Sequence, residues 1–584
     1  MTVDIDQSVD PSGPSKRWGW LRHEWTLAIL GGLLLAVVLT WPALRDPTRT
    51  IPGDIADPTL QAWQVAWAGH VLLTDPTALW HSNSFFPEQY TYAYSDTLLG
   101  YAPAGMIGSG FEAALVRYNI LFVLLHALAF VGAYALVRQL GSGRWGATVA
   151  GVAWAFAPWR MAHSGHLNIL STGGIALCLA MLARGHGWSL RYGYRPERRR
   201  PGWALAGWLV ATWQVSLGFG IGLPLIYFLL AAGIVAAGCY GWSWWRRKQR
   251  PPFGRRLLLA DVVGGLVFGL FSVLISLVYF RVVELNPQAE RDLAWTVHLS
   301  PPLRGLITAP GESWLWGDRH EGLRAQLTWP PEMALLPGVA LIGLAAAGIF
   351  VSVFSVRHRV LLILGVVGTA LLALGSNLGA DGDPGYLTLS KHLPGWDALR
   401  TPGRMMLWTS LLLAVLAAGT LSAGAAALRQ WTVGGRPWTR LAVAGVMLVP
   451  LAFVVTEGVN RTTHPEVPTP PAAMARVAEP LLVLPSDAGA FELNVMLWST
   501  NGFPRVANGL AGFVPATQET TRAVTTTFPD AASVAYLRDL GIRSVLVLPD
   551  RLPGTQWDGI PTRPVDGLGI TREEADGVLI YHLD

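Results

Sequence analysis

Apolar runs close to 20 residues long recur along most of this chain, and the segments joining them carry dense positive charge. That alternation constrains the fold more than any other feature. A helix of this length matches the hydrocarbon thickness of a bilayer and satisfies its own backbone polar groups there. Eleven runs read as spans: 27–44, 117–137, 145–160, 167–183, 203–220, 221–242, 257–280, 333–354, 360–376, 404–427 and 441–456. SKRWGWLRHEW precedes the first, and RYGYRPERRR (191–200), RRKQRPPFGRR (246–256), RHR (357–359) and RQWTVGGRPWTR (429–440) fall in alternate connections. With the N-terminus inside, every dense basic loop is cytoplasmic. The first run is too long for a signal-peptide core and lacks a small-residue cleavage site, so it reads as a retained anchor.

The net charge of +5 is therefore a topology signal and does not point to nucleic acid. Cys178 and Cys239 both lie inside apolar runs, which leaves neither a disulfide framework nor a zinc site. The expected fold is mainly α, a polytopic helix bundle. Residues 1–24 form a cytoplasmic N-terminus, 25–456 the membrane domain, and 457–584 an extracytoplasmic α/β domain. In that last segment PLLVLP, SVLVLP and GVLIYHLD read as strands, and FPDAASVAYLRDLGI as a helix stopped by Gly541. The segment 97–111 reads as re-entrant or flat on the membrane.

The outward loop 45–116 concentrates the chemistry. IPGDIADPTLQAWQVAWAGHVL places Asp54 and Asp57 just past the first span. Leu60, Trp63, Trp67 and Val71 fall on one face at helical spacing, which predicts an amphipathic helix on the outer leaflet. Asp57 before Pro58 suits an N-cap followed by N1, in competition with catalysis. Asp54 follows Gly53 in a segment that starts no helix, so either a solvated loop carboxylate or a reactive one fits. FFPEQYTYAYSDTLLG then adds Glu88, Tyr94 and Asp96, the last also a candidate cap. Carboxylates mixed with aromatic faces are suited to sugars, with rings stacking and carboxylates taking hydroxyl protons.

With GDIADP, then FFPEQYTYAYSD, an outward loop opening on an Asp, ten or more spans and an external C-terminal domain, the chain resembles the GT-C membrane glycosyltransferases. These are polyprenyl-phosphate-sugar-dependent enzymes related to protein O-mannosyltransferases and bacterial cell-envelope transferases. The resemblance implies a plasma-membrane enzyme with a polyprenyl-phosphate sugar donor and a glycan, lipid or protein acceptor. It also implies Asp54 as general base, with Asp57 and Asp96 as further catalytic candidates. The Asp-x-x-Asp spacing departs from the acid pair of some members, so a divalent metal stays open and no other cofactor is implied.

Arginines on the extracytoplasmic side oppose the topology rule and so carry information. Arg160, Arg281, Arg400 and Arg404 lie near the outer ends of spans, where guanidinium groups suit a lipid-borne phosphate. Arg281 also has Glu284 one turn on, and Arg404 can snorkel. His163 and His166 are three apart and could line the site or ligate a metal, although no carboxylate is adjacent in sequence. The rival class, a transporter or lipid or polysaccharide flippase, predicts mid-membrane charges and inverted repeats. Polar groups here gather at one face instead, and Asp261 sits beside Arg255 and Arg256 as an expected local pair.

Overall fold

The computed structural model describes residues 23–247, 254–290, 292–379, 382–431, 437–487 and 489–583. Nearly all of the segment 1–24, expected in the cytoplasm, and parts of the 246–256 and 429–440 basic loops lie outside those residues. Helices fall on all eleven apolar runs: Glu24–Leu39, Gly110–Leu140, Arg144–Ala155, Gly173–Gly185, Pro201–Ser216, Phe219–Arg247, Arg255–Leu285, Val339–Phe350, Val356–Ala373, Met406–Trp431 and Pro437–Glu457. Among the described residues, six helical stretches are long and apolar enough to cross a membrane: 110–140, 167–185, 219–246, 255–285, 356–373 and 402–430. Glu24–Leu39, Val339–Phe350 and Leu441–Glu457 are shorter apolar helices.

Burial sorts the helices. The apolar window of 110–140 is 78% buried and that of 356–373 only 11% buried, so the former is the central post and the latter a peripheral, apolar-surfaced helix. Small residues set the close crossings, as expected where packing rather than water exclusion joins helices. Gly132 abuts the Gly173 carbonyl and Gly146 that of Ala418, leaving no room for a Cβ at either. Asp261 bonds His186 Nε2 (3.1 Å) and Trp208 Nε1 (3.1 Å), joining two helix ends rather than pairing with Arg255 or Arg256.

The helix Asp57–Thr74 departs from its expected position. Pro58 to Gly69 are all buried, Gln61 and Gln64 included, so it is enclosed by protein instead of resting one face on lipid. Gln64 donates to the Asp96 carbonyl (2.9 Å), Trp63 to Asn83 (3.2 Å) and Trp67 to the Leu79 carbonyl (3.0 Å). Amphipathic spacing describes a helix with one polar face, but here that face meets buried partners from distant loops. The segment after residue 97 forms short turns, Leu99–Tyr101 and Ala102–Gly105, against which Gly69 packs backbone to backbone.

The C-terminal region is the expected α/β unit. Leu481–Leu484 pairs in parallel with Ser544–Val547, which pairs antiparallel with Val578–His582, and an edge strand, Thr571–Ala575, completes the sheet. Asp530 caps the helix Ala531–Asp539 through a reciprocal box with Ser533, and Gly541 ends it at φ +87°. The unit is stitched to the first loop. Phe85 and Phe86 amides donate to the Asn508 and Val506 carbonyls, and Gly53 and Ile51 amides to those of Thr463 and Pro465.

Candidate functional site

The site begins where the helix 144–155 ends. The chain turns through Pro158–His163 and the short helix Leu167–Leu170 before the helix Gly173–Gly185 starts. Arg160 fixes this turn from inside: at 2% exposure, it donates to Thr172 Oγ1 (3.0 Å) and the Leu170 carbonyl (2.8 Å). Gly165 at the crest of the turn packs on Gly53 and Pro58 of the acidic loop. Gly53 has φ +95° and its Cβ position lies 3.0 Å from Gly165, so both conformation and space demand glycine there. The Tyr118 hydroxyl donates to the Gly165 carbonyl (3.1 Å), and the tyrosine senses the charges of both Asp54 and Asp57.

Across that seam Asp57 Oδ2 meets His166 Nε2 at 2.7 Å. The helix begins at Asp57 itself, with Ala56 as the capping residue and no side-chain cap, so the capping role is replaced by this long-range contact. Burial pushes the Asp57 carboxyl up, but His166, Arg404 and Arg400 outweigh it and hold the group below the ordinary aspartate range. Asp54 is exposed, and its Oδ1 accepts from the Ala56 amide (2.8 Å).

A second pair lies alongside. Arg404 grips Glu332 through Nη2 to Oε1 (2.5 Å) and Nε to Oε2 (3.3 Å). Burial raises the Glu332 carboxyl, yet Arg404, by charge and by hydrogen bond, drives it down to about 2. His163 stands 3.9 Å from Glu332, but burial pulls the imidazole down to about 3, so it faces that carboxylate as a neutral ring. The two histidine rings are 5.9 Å apart. Arg400 is half-buried with its guanidinium 6.0 Å from the Trp295 ring. It has no carboxylate within ion-pair distance among the described residues, while sensing Arg404, Glu332 and Asp57.

The structure thus gathers Asp57, His163, His166, Arg400 and Arg404, with Asp54 on the adjoining turn. Of the other expected site residues Asp96 borders this group, acting electrostatically on Arg404 and meeting Gly220 beside Leu399, while the rest have other partners. Asp96 does cap, but at a distance: Oδ1 accepts from the amides of Phe219 (2.7 Å) and Gly220 (3.1 Å) at the start of the helix Phe219–Arg247. Asn168 links it back, donating to Asp96 Oδ2 (3.2 Å) while accepting from Gln61 (3.0 Å). Arg281 pairs with Glu284 (2.6 Å), both exposed. Tyr94 is a core side chain between Phe85 and Phe513, and Glu88 lies on the same stretch of loop beside the C-terminal unit. Arg160 is turned inward.

Glu332 was invisible to sequence reasoning. WPPEM shows a carboxylate near a span end, but its partners lie 72 and 169 positions away. Of the site carboxylates, Asp57 is engaged by His166 and Glu332 by Arg404, while Asp54 is exposed. Among the described residues no three His, Cys, Asp or Glu side chains cluster as a metal site.

No protein-family model and no curated protein matches the chain. Solved structures do. The arabinofuranosyltransferase AftD from Mycobacteria aligns over 99% of this chain at 18% identity with a TM-score of 0.51, and the alignment spans 40% of AftD. The oligosaccharyltransferase AglB from Archaeoglobus fulgidus aligns over 92% of this chain and 70% of its own at 14% identity and TM-score 0.45. ArnT from Cupriavidus metallidurans aligns over 98% and 99% at 14% identity and TM-score 0.37. This chain spans about 40% of AftD's length, and what the two have in common is a fold.

Proposed function

We propose that this chain is a GT-C type glycosyltransferase, transferring a sugar from a polyprenyl-phosphate donor to an extracytoplasmic acceptor with inversion. The reading places the N-terminus in the cytoplasm and the site at the outer face of the plasma membrane, where lipid-linked donors present their sugars. The observation that carries it is Arg400: a half-buried guanidinium without a carboxylate partner, beside two ion-paired carboxylates and an exposed third. A free cation in such a setting suits a phosphate oxygen. The sharing of a fold with AftD, an arabinofuranosyltransferase, favours this chemistry over transport.

In the proposed step Asp54 takes the proton of an acceptor hydroxyl. The hydroxyl oxygen bonds to the anomeric carbon from the face opposite the leaving group, and the bond from that carbon to the lipid phosphate oxygen breaks with its electron pair. Arg400 stabilises the charge developing on the departing phosphate. Asp54 is assigned the base because its carboxylate is exposed and is held only by the Ala56 amide, whereas the carboxylate of Asp57 is ion-paired with His166. Arg404, neutralised by Glu332, and the Asp57–His166 pair position Arg400 and the acidic turn.

The test uses the full chain in proteoliposomes with a panel of polyprenyl-phosphate sugars, and decaprenyl phosphate as binding probe. Asp54→Asn should lower turnover by about a thousandfold while leaving decaprenyl-phosphate binding intact. Arg400→Gln should weaken that binding about tenfold. Near-normal turnover in Asp54→Asn refutes the base, and unaltered lipid-phosphate binding in Arg400→Gln refutes the donor site.

A further inference from the structure

The basic loop at 191–200 is more than a topology signal, because it folds around a space. Trp188–Ser189 and Gly193–Tyr194 form a small antiparallel hairpin. That hairpin is tied to the end of the central helix: the Arg191 amide and Ser189 hydroxyl both donate to the Leu140 carbonyl, and Gln139 donates to the Trp188 carbonyl. The return strand is closed by the Arg195 amide on the Gly187 carbonyl and the Arg200 amide on that of Gly185. Between hairpin and helix ends opens a cavity of about 470 Å³, lined by Arg138, Arg184, Arg195, Arg198 and Arg200 with Tyr192.

No carboxylate belongs to that lining. Glu24 bonds Arg138 (2.5 Å) from outside it and is shared with Arg144 (2.7 Å). Arg184, Arg195 and Arg198 have no carboxylate within ion-pair distance among the described residues; Arg184 lies over Trp203 (5.1 Å) and Arg195 over Tyr192 (4.3 Å). Stacking on aromatic rings orients a guanidinium while leaving its N–H fork free for an anion. Retention of basic loops inside the cell explains why arginines lie at this end, but a loop needed only for its charge has no reason to fold them around one open space.

The position along the membrane normal decides the ligand. Tyr118, beside the acidic turn, and Arg138 lie on the same helix twenty residues apart, about 30 Å, which is the thickness of the hydrocarbon core. The cavity therefore lies at headgroup level on the face opposite the sugar-transfer site. Half-exposed Trp188, Tyr192 and Tyr194 around its rim have the interfacial aromatic character of that level. We propose that the cavity binds the phosphate headgroup of an anionic phospholipid of the inner leaflet, with Arg184, Arg195 and Arg198 on the phosphate oxygens.

The test is retention of lipid by the full-length protein, read by native mass spectrometry after extraction from vesicles of phosphatidylcholine containing one-fifth phosphatidylglycerol or cardiolipin. Anionic lipid should be retained on the wild type over phosphatidylcholine, and the R195Q/R198Q variant should lose at least tenfold of that preference. R195K/R198K should recover part of it, and R357Q/R359Q, which removes arginines from another basic connection, should keep it. An unchanged preference in R195Q/R198Q, or an equal loss in R357Q/R359Q, overturns the proposal. Titration with inorganic phosphate separates the sources: tight binding of free phosphate without lipid preference overturns the lipid assignment, while retention of lipid that millimolar phosphate fails to displace supports it.

Discussion

Arg400 and Arg404 are one helical turn apart in sequence yet have different jobs. Arg404 is neutralised by Glu332, and Arg400 is left free to meet an anion. Removing one partner of a buried pair strands the other charge, so Glu332→Ala should cost about 3 kcal/mol of stability. The double variant Glu332→Ala/Arg404→Met should cost less than either single change, which a double-mutant cycle on thermal midpoints in detergent checks. Sequence pointed to Arg400 and Arg404 because arginine outside the cell is rare. It could not show that Arg160 faces inward, since a buried cation satisfied by a carbonyl and a threonine looks the same in a list of residues. Nor could it bring Asp57 to His166, because the capping geometry of Asp-Pro is local and the histidine is 109 positions away.

At the level of elements, helical runs were readable because a bilayer imposes their length and apolarity directly. All eleven fall on helices, and the three apolar strands of the C-terminal unit stand as expected. The strand Thr571–Ala575 was missed because TREEA has no apolar alternation; it is an exposed edge held only by its neighbour. The helix 57–74 was readable as a helix but not in its surroundings. Its packing yields a sharp contrast between glycines. A Cβ at Gly69 would lie 2.0 Å from the Gly105 carbonyl carbon, whereas at Gly31 it meets nothing within 4 Å. Gly69→Ala should therefore force the helix off its seat and cost about 2–3 kcal/mol, while Gly31→Ala should be neutral or stabilising by about 0.5 kcal/mol. Thermal unfolding of the two variants side by side measures the difference.

For the whole molecule, the C-terminal unit brings a pH dependence of its own. Glu492 is fully buried, accepts from the Gly509 amide (2.9 Å), and is pushed up to about 7 by burial, against the pull of Ser486 and Arg522. Unfolded, the same group titrates near about 4.3. Between those values the folded chain keeps a proton that the unfolded chain has released. The contribution is thus complete below about pH 4.3 and is lost as the pH rises through about 7, a span of about 4 kcal/mol. Glu492→Gln, which keeps an acceptor for Gly509, should flatten the dependence and raise the thermal midpoint most at pH 8. A midpoint insensitive to both pH and the substitution would contradict the assignment.

The stitching of residues 51–53 to residues 463–465 has a consequence in time. A nascent polypeptide inserts its spans in order, so the acidic turn leaves the ribosome some 400 residues before the segment that braces it. Until residues 463–465 emerge, Asp54 belongs to a ribbon without its brace. On the proposed function, a protein clipped after residue 457 would pass every test of membrane insertion and still be inert, because the turn that carries Asp54 would lack its brace.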